Sequence, residues 1–180
     1  MSSLWARVEP LLARVQKPAR YIGCEDGATT PRHDKLPDGG TVAWLLAYPD
    51  TYEIGLPNQG LQILYEILNE RDDAVAERAY APWLDLADQL RTHGVPLFSV
   101  DSHRPASDFD ILAFNLSSEL VYTNVLEMIH LAGIPLHTAE RGPDDLLVVV
   151  GGHAAFNPEP LADFIDAAVL GEGEEVVADI

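Results

Sequence analysis

The residues with chemistry to offer gather in four stretches, each following an apolar run and each marked by glycine or a small hydroxyl. Asp50, Tyr52, Glu53 and Gly55 follow the first run, and Ser117, Ser118 and Glu119 follow another. Gly151, Gly152, His153 and Asn157 come after a third, and Gly171, Glu172 and Gly173 after a fourth. Asp50 and Glu53 have the types of an acid/base pair, but no nucleophile accompanies them, which ranks them as turn and ligand-contact residues. Ser117 and Ser118 either donate to a ligand or cap the helix that follows. Gly151-Gly152 either lets a flat ligand lie against bare backbone or makes a tight turn that needs positive φ. His153 either approaches that ligand or is a surface residue, and Asn157 is expected to bond its own turn. Glu172, Glu174 and Glu175 bracket Gly173 at a helix start, where carboxylates suit the helix dipole and oppose phosphate binding.

The elements that must position these residues can be read from the apolar pattern. Leu146 to Val150 is an unbroken apolar run, rich in β-branched valine, opening onto the paired glycines, a buried strand leaving the core. Ala167 to Leu170 is a second, meeting Gly171 and a helix start at Glu174, while Pro158 and Pro160 suit the first turn of a short helix between them. Further up the chain, Thr41 to Tyr48, Ala74 to Ala81 and Asp110 to Leu116 are strands. Helices follow them, carrying Leu61, Tyr65 and Leu68 from a start near Asn58, then Trp83, Leu84 and Leu90 up to Gly94, then Val125, Met128 and Ile129 up to Gly133. Pro96 to Val100 is a short extended piece. Five strand-helix units predict a doubly wound, flavodoxin-like (Rossmann-like) α/β fold with a five-stranded parallel sheet in the order 2-1-3-4-5. A ligand of such a sheet sits outside the carboxyl ends of the strands, where the winding reverses between the first and third. The loops at 49–60, 116–123, 151–160 and 171–174 are therefore expected to share one crevice.

Ahead of this domain, at 41–180, residues 1–40 form a helical arm and a connector. Leu4, Val8, Leu11, Leu12 and Val15 share a helical face, with Ser2 or Ser3 as cap and Pro10 bending or delaying the helix. The arm packs on this domain or on a neighbour, self-packing being the simpler expectation.

Composition excludes several classes. Eleven Lys and Arg against 29 Asp and Glu give a net charge of −18, which repels a polyphosphate backbone, so no DNA binding is expected. Cys24 stands alone, so there is no internal disulfide and no multi-thiolate metal site. No apolar run is long enough to span a membrane and the start lacks a secretory h-region; cytoplasm is the expected compartment. There is no GxGxxG, no GxxxxGK[ST] and no GxSxG, and Asn115 stands where a phospho-receiver needs Asp.

The stretch GGHAAFNPEPLADFIDAAVLGEGEE resembles the segment that closes the cobalamin-binding-type domain preceding many radical-SAM catalytic domains. YPDTYEIGLPNQGLQILYEILNER, ERAYAPW, PLFSVDS and FDILAFNLSSELVYTNVLEMIHLAGIPL extend the likeness to the amino-terminal domain of one group of such proteins, from about Lys17 onward. The resemblance implies a parent with a radical-SAM barrel that holds an iron-sulfur cluster and S-adenosylmethionine. The cluster needs three thiolates in CxxxCxxC, so this chain is expected to be an accessory fragment, inactive alone and truncated at Ile180 within a helix.

The cofactor implied is cobalamin, held without an axial histidine. In the familiar cobalamin domains a DxHxxG motif follows the first strand, a serine motif the third and GG the fourth. Gly151-Gly152 matches the last, Ser117 or Ser118 corresponds to the second, and the first loop has no histidine. Asp101-Ser102-His103 with Ala106 mimics the first motif, but it precedes the third core strand and is read as coincidence. Tyr52 or Glu53 is then expected beneath the corrin, with the nucleotide tail in the Gly151 crevice. Two other readings stand beside this one: a ligand-free scaffold that positions or oligomerises the catalytic part, and an independent small-molecule enzyme using Asp50, Glu53 and His153.

Overall fold

The computed structural model describes residues 4–25, 41–177 and 179–180. Five parallel strands form one sheet: β1 (Val42–Tyr48), β2 (Ala74–Tyr80), β3 (Ile111–Asn115), β4 (Leu147–Gly151) and β5 (Ala167–Ala168). Their order is β2-β1-β3-β4-β5, the doubly wound flavodoxin-like arrangement. Pairing of Tyr48 with Tyr80, Ala47 with Phe114, Asn115 with Gly151 and Val150 with Ala168 brings the carboxyl ends level along one edge. The four loops expected to carry chemistry leave from that edge.

Because both faces are covered, β1 is apolar without alternation. Leu45 and Ala47 join Leu112, Phe114, Val148 and Val150 on one face, under α4 (Leu84–His93) and α5 (Tyr122–Ala132). Trp44, Leu46 and Tyr48 join Ile111 and Val149 on the other, under α3 (Gln59–Glu70). Asn58 caps α3, its Oδ1 accepting from Leu61 N–H at 2.9 Å, and Gly94 and Gly133 end α4 and α5 as the sequence predicts.

The amino-terminal helix α1 (Trp5–Leu12) packs on the domain itself, burying Val8, Leu11 and Leu12 in the core beneath α4. Pro10 lies inside this helix without ending it. Ala6 and Pro10 are both exposed, so the carbonyl that Pro10 cannot bond faces water and the loss is small. Ser2 and Ser3, offered as caps, and most of the connector fall outside the described residues.

Two elements are shorter than their sequences suggest. Pro158 and Pro160 start only a 3-10 turn, Glu159–Leu161, in which Leu161 is the one buried anchor. β5 spans two residues because it has a single neighbour and pairs with β4 only at Val149 and Val150. The opposite edge is blunted by the segment after α4. Val100 N–H donates to the Arg78 carbonyl at 2.8 Å, and Arg78 N–H is taken by Asp101 Oδ2 at 2.6 Å. Both groups would otherwise be free to pair with another strand.

Candidate functional site at the carboxyl edge of the sheet

Where the winding reverses, on the α3 side of the sheet, the middle of β1, the carboxyl ends of β3 and β4 and the segment after β5 enclose a partly open crevice of about 70 Å³. Trp44, Leu46, Ala113 and Val149 form its floor, Leu61 and Leu64 of α3 one wall, and Val169, Val177 and Ile180 the other. Gly151, Gly152, Gly171 and Gly173 complete the lining. Val177 and Ile180 follow α6 (Gly173–Val176), the short helix that starts after β5.

The paired glycines have different roles. Gly151 is the last residue of β4, and a Cβ added there would meet Val169 Cβ at an ordinary 3.8 Å. Its missing side chain keeps the crevice open. Gly152 holds φ 92° and ψ −175°, a region essentially reserved for glycine. An added Cβ would lie 2.9 Å from the Leu116 carbonyl oxygen and 3.0 Å from Asn115 Oδ1. The turn it makes lets Leu116 N–H bond Gly151 O at 2.8 Å and Ala154 N–H bond Leu116 O at 3.0 Å.

Asn115 is the polar residue of this site that the sequence reading used only to exclude a receiver domain. It closes β3, lines the crevice and lies against Gly60 and Gly152, with its Nδ2 3.4 Å from Asn58 Oδ1. The ends of the first, third and fourth strands thus meet through one amide. A lone polar residue at the carboxyl end of an otherwise apolar strand was the available signal.

The remaining expected residues lie outside the lining. Ser118 Oγ accepts from Leu120 N–H at 3.2 Å, the capping role, and Ser117 and Glu119 are exposed. Asp50 accepts from Thr51 N–H at 2.6 Å. Tyr52 stacks edge-on against Tyr80, at 5.4 Å between ring centroids, and its hydroxyl donates to Glu25 at 2.7 Å. Burial, reinforced by Glu25, raises the pKa of that hydroxyl. Gly55 leaves room for Tyr80, whose ring would lie 2.5 Å from an added Cβ.

Glu53 receives Arg20 at 2.8 Å and Lys17 at 3.1 Å, both from the arm. The Arg20 guanidinium above all holds the Glu53 carboxyl down at about 2. His153 and Asn157 sit in the turn after Gly152; His153 is exposed, and the Asn157 carbonyl accepts from the Tyr122 hydroxyl at 2.8 Å. Glu172 is the exposed cap residue of α6. Asp50, Glu53 and His153 therefore have separate settings, with no shared acid/base centre among them.

Asp101 and His103, which mimic an axial-ligand motif, serve the other edge of the sheet. Asp101 pairs with the buried Arg78 at 2.7 Å, and Arg78 lies 4.6 Å above the Tyr65 ring. Burial opposes the charge of Arg78, but the hydrogen bonds and field of Asp101 outweigh it and raise its pKa. His103, at φ 58°, is packed between Trp5 and Phe98, and burial lowers its pKa. Among the described residues no cluster of three His, Cys, Asp or Glu could hold a metal ion, and no helix is long and apolar enough to cross a membrane.

Fold and crevice together define an α/β domain of the flavodoxin-like class with a small apolar slot at its switch point. A family model described as radical SAM proteins, N-terminal, matches residues 60–180, and the chain belongs to that family. No match emerges among curated proteins or among solved structures.

Proposed function

We propose that this chain is a cobalamin-binding-type accessory domain of a radical-SAM protein, without catalytic activity of its own. The observation that carries the reading is the apolar crevice at the switch point, where Gly151 bares the backbone and Asn115 is the one amide side chain in the lining. An apolar slot with a few fixed polar groups is the usual form of a cofactor site in such sheets. Leu61, Leu64, Gly151, Val169 and Gly173 are the residues to hold the flat end of a nucleotide tail, and Asn115 its polar edge. Bound cobalamin supplies a cobalt centre for group-transfer or redox chemistry. Among the described residues no histidine lines the crevice.

Usual ligand pockets hold about 300–1,000 Å³. A space of about 70 Å³ admits a tail only if α6, which covers the slot through Val177 and Ile180, lifts away. That small volume favours a second reading, in which the domain is a ligand-free scaffold that positions the catalytic part. S-adenosylmethionine and an iron-sulfur cluster belong, on either reading, to the catalytic part of the parent. Mixing the protein with hydroxocobalamin and desalting separates the two. The first reading expects retained colour and a changed visible spectrum; colourless protein with an unaltered ligand spectrum contradicts it.

A further inference from the structure

The loops after β3, β4 and β5 share an unusual surface. Each presents a large apolar side chain to solvent: Leu120 is 89% exposed, Phe156 67% and Leu170 55%. These are not scattered residues. The three strands are adjacent, which sets their ends about 10 Å apart from first to last. The loops after β3 and β4 are also tied to each other, since the Tyr122 hydroxyl donates to the Ala154 and Asn157 carbonyls at 2.9 and 2.8 Å, and the end of β5 is held to β4 by Val169 N–H donating to Val150 O at 2.8 Å. A rim of this kind, with large apolar side chains exposed on the loops of three adjacent strands, marks an interaction surface.

Its charge narrows the partner. Residues 117–121, 152–160 and 170–176 carry Glu119, Glu159, Glu172, Glu174 and Glu175 and no Lys or Arg. Elsewhere on the same edge the arm neutralises Glu53 through Lys17 and Arg20. Two copies of the rim placed face to face would oppose ten carboxylates, twice the five of one copy, so a symmetric dimer through it is disfavoured. Nucleic acid and anionic lipid are repelled for the same reason. The complement is a protein surface with apolar sockets flanked by Lys and Arg. Family membership supplies the candidate, because an N-terminal region of radical SAM proteins has a catalytic part as its neighbour in the parent.

We propose that the loops after β3, β4 and β5 are the docking face for the catalytic part of the parent radical-SAM protein, with Leu120, Phe156 and Leu170 as anchors among exposed glutamates. The same loops contribute Gly152, Gly171 and Gly173 to the crevice, so the docked part covers its mouth. This inference rests on exposure, charge and family, and stands whether or not cobalamin binds.

The test uses the full-length parent, with photo-reactive p-benzoylphenylalanine in place of Leu120 or of Phe156. Leu147, half exposed at the amino end of β4, is the control position. Irradiation is expected to join positions 120 and 156 to peptides of the catalytic part and position 147 to none. Leu120→Asp with Phe156→Asp is expected to speed proteolytic separation of the two parts at least tenfold, and Leu147→Asp to leave it unchanged. Crosslinks only at 147, only between two copies of this domain, or absent from 120 and 156 would overturn the proposal, as would unchanged proteolysis of the double variant. Hydroxocobalamin retention is scored separately on the same protein: retention without these crosslinks refutes the docking face alone, and crosslinks without retention refute the cobalamin reading alone.

Discussion

Two adjacent glycines offer a sharp test, because alanine at one should act against alanine at the other. In Gly152→Ala the new residue must hold φ 92° and ψ −175°, a conformation that costs a side-chain-bearing residue about 1–3 kcal/mol. Its Cβ would also stand 2.9 Å from the Leu116 carbonyl oxygen, a backbone atom that cannot swing aside, and overpacking of this kind costs about 1–3 kcal/mol more. A total near 3 kcal/mol corresponds, in a domain of this size, to a fall in melting temperature of about 6–12 °C. Gly151→Ala meets nothing closer than Val169 Cβ at 3.8 Å and sits in a strand, where alanine in place of glycine gains about 0.5–1 kcal/mol. Urea and thermal unfolding of both variants, followed by circular dichroism, measure the difference. A Gly152→Ala variant within about 0.5 kcal/mol of the parent, the range of an ordinary surface change, would refute the assignment of Gly152 to the turn.

Asp101→Ala removes the nearer of the two carboxylates paired with the buried Arg78, leaving Glu25 at 3.4 Å, and is expected to destabilise by about 3 kcal/mol, the low end for breaking a buried ion pair, measured by urea unfolding. Asn58→Ala deletes the cap of α3 and should cost about 1 kcal/mol in the same assay; an unchanged midpoint would show that the Leu61 bond carries nothing. The arm is expected to loosen in two steps on acidification. Burial lowers the pKa of His103, so its contribution is whole above its ordinary 6.5 and falls as pH drops below that value. Glu53, held at about 2 by Arg20 and Lys17, contributes above its ordinary 4.5 and loses its share as pH falls toward about 2. Hydrogen exchange of the α1 amides at a series of pH values, corrected for intrinsic rates, should show both steps, and a flat profile from pH 7 to 3 would contradict this account of the fastening.

The strands and their order were legible because buried parallel strands are continuous apolar runs, and VAWLLAY, ILAFN and LVVVG are such runs bounded by turn residues. The helices around them were legible from stripes such as Leu61, Tyr65 and Leu68. β5 was overestimated because AAVL has the composition of a strand, whereas its length is set by how much of β4 remains to pair with. At the site, the glycines could be read from the turn they must make. The ion pairs from Lys17 and Arg20 to Glu53 could not, since they join residues more than 30 apart through a fold that had first to exist. Asn115 was visible as an exception in an apolar strand, but its meaning depends on Gly60 and Gly152, which only the sheet brings beside it.

The account turns on whether the slot beside Gly151 receives a flat cofactor. Equilibrium dialysis of hydroxocobalamin against the unsubstituted protein and against Gly151→Leu measures this directly, because the added side chain enters the slot from a position where a Cβ meets nothing closer than 3.8 Å. The prediction is saturable binding to the unsubstituted protein and at least tenfold weaker binding to a variant that still unfolds cooperatively. No binding to the unsubstituted protein, or equal binding to both proteins, would contradict it.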